Sequence, residues 1–141
     1  MIVEPGRFAT KYASSAAYHL FFTRIENSEE TYNQQFSITF SEILDCSLGE
    51  IVNSLHLIFT TDVGSLYLQY MLAGQRTDMT ILYKHRICPC HKELNKNITI
   101  IKIDGDEFSS HHTNITILQY NNGIRVVVST ALYSDVSKNR T

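Results

Sequence analysis

Apolar positions in this chain fall into short runs separated by polar turns. Ala16 to Ile25 (AAYHLFFTRI), Ile51 to Phe59 (IVNSLHLIF), Met79 to Tyr83 and Ile98 to Ile103 (ITIIKI) are short and rich in β-branched or aromatic residues. Each predicts a strand. ITIIKI is almost continuously apolar, which predicts a central strand rather than an edge. Asn114–Tyr120 and Ile124–Thr130 flank Asn121-Asn122-Gly123, a strong hairpin signal.

Two helix starts stand out between the strands. Thr39 with Glu42 three residues on is a capping box, and Ile38 with Ile43 has the spacing of a hydrophobic staple, so a short helix should end near Asp45 to Ser47. Asp62 is placed to cap VGSLYLQYML, with Gly74 as its stop. Residues 1–15 read as a loose polar lead-in, 27–35 and 85–97 as loops, Asp104 to Asp106 as a turn, and 134–141 as a polar tail. Strand–helix–strand order followed by several strands predicts an α/β domain over 16–133, a mixed β-sheet flanked by helices.

Composition narrows the class. The chain has 141 residues, 43% hydrophobic and 18% charged, which suits one domain with a real core and excludes a disordered chain. No window approaches the roughly 20 apolar residues of a membrane span, and the first residues lack the apolar stretch of a secretory signal. Membrane association is therefore not expected. The net charge of −2 argues against a free-standing nucleic-acid binder, which usually carries a basic excess. Cys46, Cys88 and Cys90, an odd number, read as reduced thiols of an intracellular protein.

The stretch most suggestive of chemistry is Glu107 to Leu132, EFSSHHTNITILQYNNGIRVVVSTAL. Side chains of a strand alternate, so His112 and Asn114 should share one face while His111 takes the other. A histidine beside a second polar group suits attack on phosphorus or proton transfer. The spacing alone is a weak signal.

Phe108, His111, His112, Thr113, the strand ITILQY, Gly123, Arg125, Val126 and Val127 together resemble the first catalytic segment of the tyrosyl-DNA phosphodiesterase family, within the phospholipase D superfamily. Upstream, AAYHLFFTRI, FSEIL and GEIVNSLHLIFTTDVGSLYLQY resemble the elements that open the family's catalytic region, in the same order. The resemblance implies half of a phospholipase D-like fold, with helices on both sheet faces. It implies DNA repair in the nucleus, by hydrolysis of 3′-phosphotyrosyl DNA ends through a phosphohistidine, without metal or cofactor. By position His112 matches the nucleophile and Phe108 the residue that stacks on a base, with His111 beside them as a substrate contact. The implied partner is a single-stranded DNA 3′ end, and the family's second half could come from a complementary C-terminal chain.

The departures matter as much. Asn114 stands where the motif has lysine, Leu132 where it has asparagine, and Asp62-Val63 is not followed by the family's tryptophan. The second half of the pattern, with its own histidine and lysine, is not in these residues. Losing one preorganised donor typically costs about 10²- to 10³-fold in rate, and losing an acid partner about 10²- to 10⁴-fold. The expectation is a truncated or impaired phosphodiesterase. The alternatives are a non-catalytic module that binds DNA ends or a repair partner, and a decaying copy without a role. Because the family's halves pack together, half a fold should leave an apolar flank that promotes self-association.

The remaining signals read as ordinary structure. His85, Cys88, Cys90 and His91 lack zinc-knuckle spacing and read as a surface loop. The sequons at Asn97, Asn114 and Asn139 have no secretory context. Leu66, Tyr67 and Tyr70 read as a core-facing helix stripe, His19 and His56 as core or edge histidines, and Arg125 as a solvated strand residue that could alternatively steer a phosphate.

Overall fold

In a computed structural model, residues 3–24, 29–31, 34–88, 97–103 and 113–129 are described. Helix α1 (Arg7–Ser14) comes first, then strand β1 (Phe22–Thr23), a 3-10 turn at Glu29–Thr31, β2 (Ser37–Ile38) and α2 (Phe40–Ile43). A second 3-10 turn (Cys46–Leu48) leads to β3 (Ile51–Asp62), α3 (Val63–Leu72), β4 (Asp78–Cys88), β5 (Ile98–Lys102), β6 (Asn114–Tyr120) and β7 (Gly123–Ser129). A five-stranded mixed sheet runs β5-β4-β3-β6-β7, with β3, β4 and β5 parallel and β6 antiparallel to both neighbours. β1 and β2 form a separate parallel pair.

Local signals formed where expected. Thr39 Oγ1 accepts from the Glu42 N–H at 3.3 Å, and both staple residues, Ile38 and Ile43, are buried. Asp62 accepts from the Gly64 and Ser65 N–H groups, and Gly74 follows α3 with φ +74°, a left-handed stop that a Cβ would strain. Tyr120 pairs with Gly123 across a turn at Asn121 and Asn122, closing the predicted hairpin.

Four expectations need correction. Residues 7–14, polar and without a predicted element, form α1 because Phe8 is buried and Lys11 reaches the buried Glu42, while the remaining positions stay exposed. The strand expected over 16–25 shrinks to Phe22–Thr23. Residues 85–88, expected in a loop, continue β4. β5 is an edge of the sheet, not its centre. Its run is apolar because Ile98 and Ile100 face the core while Ile101 lies in an apolar row on the opposite face. The turn at 104–106, the loop at 89–96 and the tail lie outside the described residues.

The helices described all sit over one face. Phe40 of α2 and Tyr70 of α3 pack edge-on to His56 of β3, and Phe8 of α1 lies against Arg125 of β7. Ionic and amide contacts tie the layers. Glu42 of α2, almost fully buried, receives Lys11 of α1 at 2.8 Å and Arg24 at 3.4 Å. Gln75, also buried, donates to the carbonyls of Leu44 and Gly49 and accepts from the Ile51 N–H. Asp45 accepts from the Gly6 N–H at 2.7 Å and from Ser47. Burial alone would raise its pKa, but these hydrogen bonds hold the carboxyl below its usual value.

Candidate functional site

β6 starts at the end of the sheet where the parallel strands finish. Ile115 pairs with Leu57 in the C-terminal half of β3, so Asn114 stands at that end, paired across the ladder with Ser129. The outer ends of parallel strands are where open α/β sheets bind ligands, because loops diverge there and leave a crevice. Asn114 is 9% exposed, and it shares its side of β6 with Thr116, Leu118 and Tyr120. It begins a strand that alternates into the core. As a neutral amide it offers hydrogen bonds but no fixed charge.

Phe108, His111 and His112 lie outside the described residues, so of the sequence-predicted site residues only Asn114 is positioned. Whether His112 shares its face stays an expectation from alternation. His85, Cys88, Cys90 and His91 also have side chains outside the described set. Among the described residues no group of three or more His, Cys, Asp or Glu converges as a metal site.

Next along the face from Asn114 is a buried polar network that motif reading missed. His56 is fully buried; its Nδ1 lies 3.1 Å from Thr116 Oγ1 and its Nε2 2.7 Å from the Tyr70 hydroxyl. Burial pushes its pKa down to about 3, because the imidazolium would lose hydration that the core does not replace. The ring is therefore neutral at physiological pH. Sealed inside, it locks β3, β6 and α3 together and positions the strand that carries Asn114, rather than doing chemistry itself. The sequence hint was modest: a histidine on the inward alternation of an apolar strand has to find partners.

Arg125 departs furthest from its expected place. Instead of pointing into solvent, it pairs across the hairpin with Leu118 on the helix-covered face. Its guanidinium carbon lies 5.3 Å from the ring centroids of Phe8 and Tyr12, and 5.8 Å from that of Tyr120. His19, rather than sitting in a strand, stacks on Tyr12 at 3.8 Å. Leu66 and Tyr70 face the core as expected, with Tyr67 packed partly against it.

Comparison with known proteins bears on this arrangement. Residues 19–139 match the family model described as "Tyrosyl-DNA phosphodiesterase". The whole chain is 36% identical, over 147 aligned residues, to tyrosyl-DNA phosphodiesterase 1 of Drosophila melanogaster, and spans 25% of its length. Among solved structures, the yeast tyrosyl-DNA phosphodiesterase superposes with a TM-score of 0.51 at 22% identity, over 64% of this chain and 23% of the yeast one. A variant of the yeast enzyme superposes with a TM-score of 0.56 at 20% identity, over 75% of this chain and 25% of that one. These superpositions establish the shared fold.

Proposed function

The chain belongs to the tyrosyl-DNA phosphodiesterase family, and from that premise we propose that it is a DNA-repair protein of phosphodiesterase type, directed at DNA 3′ ends and impaired in its own catalysis. The observation that carries the reading is the family match across residues 19–139; within it, we read His112-Thr113-Asn114 as the motif's segment, with Asn114 where the motif has lysine. Asn114 standing at the crevice end of the sheet agrees with a role there.

The chemistry follows from the residues. His112 attacks the phosphorus, a P–N bond forms, and the P–O bond to the tyrosyl group breaks. The departing phenoxide, with a pKa near ~10, takes up a proton at neutral pH. Delivery of that proton and the later activation of water would fall to a second histidine that is not among these 141 residues. Asn114 brings a neutral hydrogen bond where the transition state accumulates negative charge. Phe108 would stack on the terminal base, with His111 as a further substrate contact. The domain then covers 16–133, with the 1–15 lead-in packed onto it through α1 and 134–141 as a tail, and it works in the nucleus on single-stranded 3′ ends. A complementary C-terminal half chain would supply the missing groups.

Asn114 in place of lysine favours one further reading, a module that holds DNA ends or a repair partner without turnover. The test is a 3′-phosphotyrosyl oligonucleotide incubated with the purified chain. The expected result is no multiple turnover, and at most a trapped adduct on His112 that His112→Ala abolishes. Binding without any adduct would favour the non-catalytic module. Multiple turnover lost in His112→Ala would overturn the claim of impairment.

A further inference from the structure

Between the N-terminal segment and β7 runs an open cleft of about 820 Å³, lined by Phe8, Tyr12, His19, Thr113, Arg125 and Ser129 among others. Thr113 precedes Asn114, and Ser129 pairs with it, so the cleft reaches the candidate site. Among the described lining residues Arg125 is the one guanidinium or ammonium, and none is acidic. Three aromatic rings surround the guanidinium and stabilise a cation there. Their faces are poor substitutes for the oxygen acceptors a guanidinium fork prefers. Arg125 Nη1 is buried with no hydrogen-bond partner among the described residues, and so is the hydroxyl of Tyr120 beside it. Buried donors are nearly always matched in folded proteins. An arginine in a cleft whose described lining carries no carboxylate is thus set up for an anion brought by a ligand.

The walls narrow the kind of anion. Tyr12 and His19 are stacked with planes 6° apart, and Phe8 packs against both Tyr12 and Phe21. Flat aromatic surfaces beside an arginine fork accept a planar base next to a phosphate, and the stacking tolerates any base. We propose that this cleft binds a nucleotide phosphate of a DNA strand, gripped by Arg125, with the attached base against the Tyr12–His19 pair. It is a second contact for the strand whose end lies at β6. The choice of a nucleotide rests on the DNA-end reading; the need for an oxyanion rests on Arg125 alone.

The test uses the full 141-residue chain, labelled with ¹⁵N and titrated separately with a short oligothymidylate, phenyl phosphate and inorganic phosphate. Oligothymidylate should shift the Arg125 guanidinium resonance of the unmodified chain. Arg125→Met should weaken its binding roughly tenfold or more, the loss of a charge-assisted contact, and Arg125→Lys should fall between. The guanidinium resonance reads the site directly even if a variant folds poorly. Oligothymidylate binding that leaves this resonance unmoved, or that is unchanged in a folded Arg125→Met, overturns the cleft assignment while the DNA-end reading stands. A shift with phenyl phosphate but none with oligothymidylate overturns the nucleotide assignment and counts against the DNA-end reading too. No shift with any of the three overturns the site.

Discussion

On one face of the sheet, the rows Ile100–Ile81–His56–Thr116–Val127 and Ile98–Met79–Ser54–Leu118–Arg125 run across all five strands beneath the helices. On the other face, the rows Ile101–Leu82–Leu57–Ile115–Val128 and Thr99–Thr80–Leu55–Ile117–Val126 cross the same strands. No described helix lies over them. The second face is the more apolar of the two, yet Ile101, Ile124, Val126 and Val128 on it are 47–69% exposed. Polarity and burial are thus inverted. The covered face tolerates His56 and Arg125 because α3 brings Tyr70 and α1 brings Phe8 and Tyr12 to them, while Thr116 meets His56 and Ser54 the Asp78 carbonyl within the sheet. The open face, Thr99 and Thr80 apart, has only carbon to offer, and nothing described lies against it. Strands apolar on both sides are typical of sheets with two covering layers. The resemblance implied helices on both faces, and the described residues supply one such layer.

The largest expected effect contrasts the faces directly. Leu118→Ala, at a fully buried position, should lose about 2–5 kcal/mol of stability through lost burial and the cavity left behind. Val126→Ala should stay within about 0.5 kcal/mol. Chemical denaturation of both variants measures the difference, and equal losses would mean that the second face is covered in solution.

Acid should act through the covered face. The folded-state pKa of His56 is depressed, so its contribution is fully present above the unfolded value of 6.5 and is lost as pH falls toward about 3. Within that window stability should drop by up to about 1.4 kcal/mol per pH unit from this group. Melting curves from pH 7 to 4 should show the slope, and His56→Gln should flatten it. A slope unchanged in His56→Gln would place the acid sensitivity elsewhere.

Tyr70→Phe removes the hydroxyl 2.7 Å from His56 Nε2 and leaves that nitrogen without this partner. The expected loss is about 1–3 kcal/mol, with far-ultraviolet dichroism unchanged. The smallest effect on stability should come from Ile124→Lys combined with Val126→Lys on the open face. Melting should barely move, while binding of a hydrophobic dye and concentration-dependent sedimentation should both fall. Dye binding that persists would show the exposed surface to be elsewhere.

The family was legible because its signals are local in sequence, and of the expected site residues the structure positions Asn114. The Phe108-to-Val127 stretch identified the family, and its departure at Asn114 set the expectation of impaired chemistry. The His56 network and the Arg125 cage were not legible. His56 and Thr116 are separated by 60 residues, and nothing near either one names the other. Arg125 was misread for a definite reason. In IRVVVS, alternation sets Ile124, Val126 and Val128 against Arg125, Val127 and Ser129, and hydrophobicity alone would turn the first set inward. In the fold the second set is inward, because Phe8 and Tyr12 come from α1 to receive the arginine.

The sequence by itself determined the caps at Thr39 and Asp62, the stop at Gly74, the hairpin turn and the family. Each cap or turn forms within a few residues of backbone, where hydrogen-bond geometry leaves little choice, and the family was carried by one collinear set of residues. Tertiary structure alone decided that β5 is an edge, that residues 7–14 form a helix and that the more apolar sheet face is the open one. Those outcomes depend on which surfaces meet across the chain, and a run of apolar residues states its wish for burial without naming its partner.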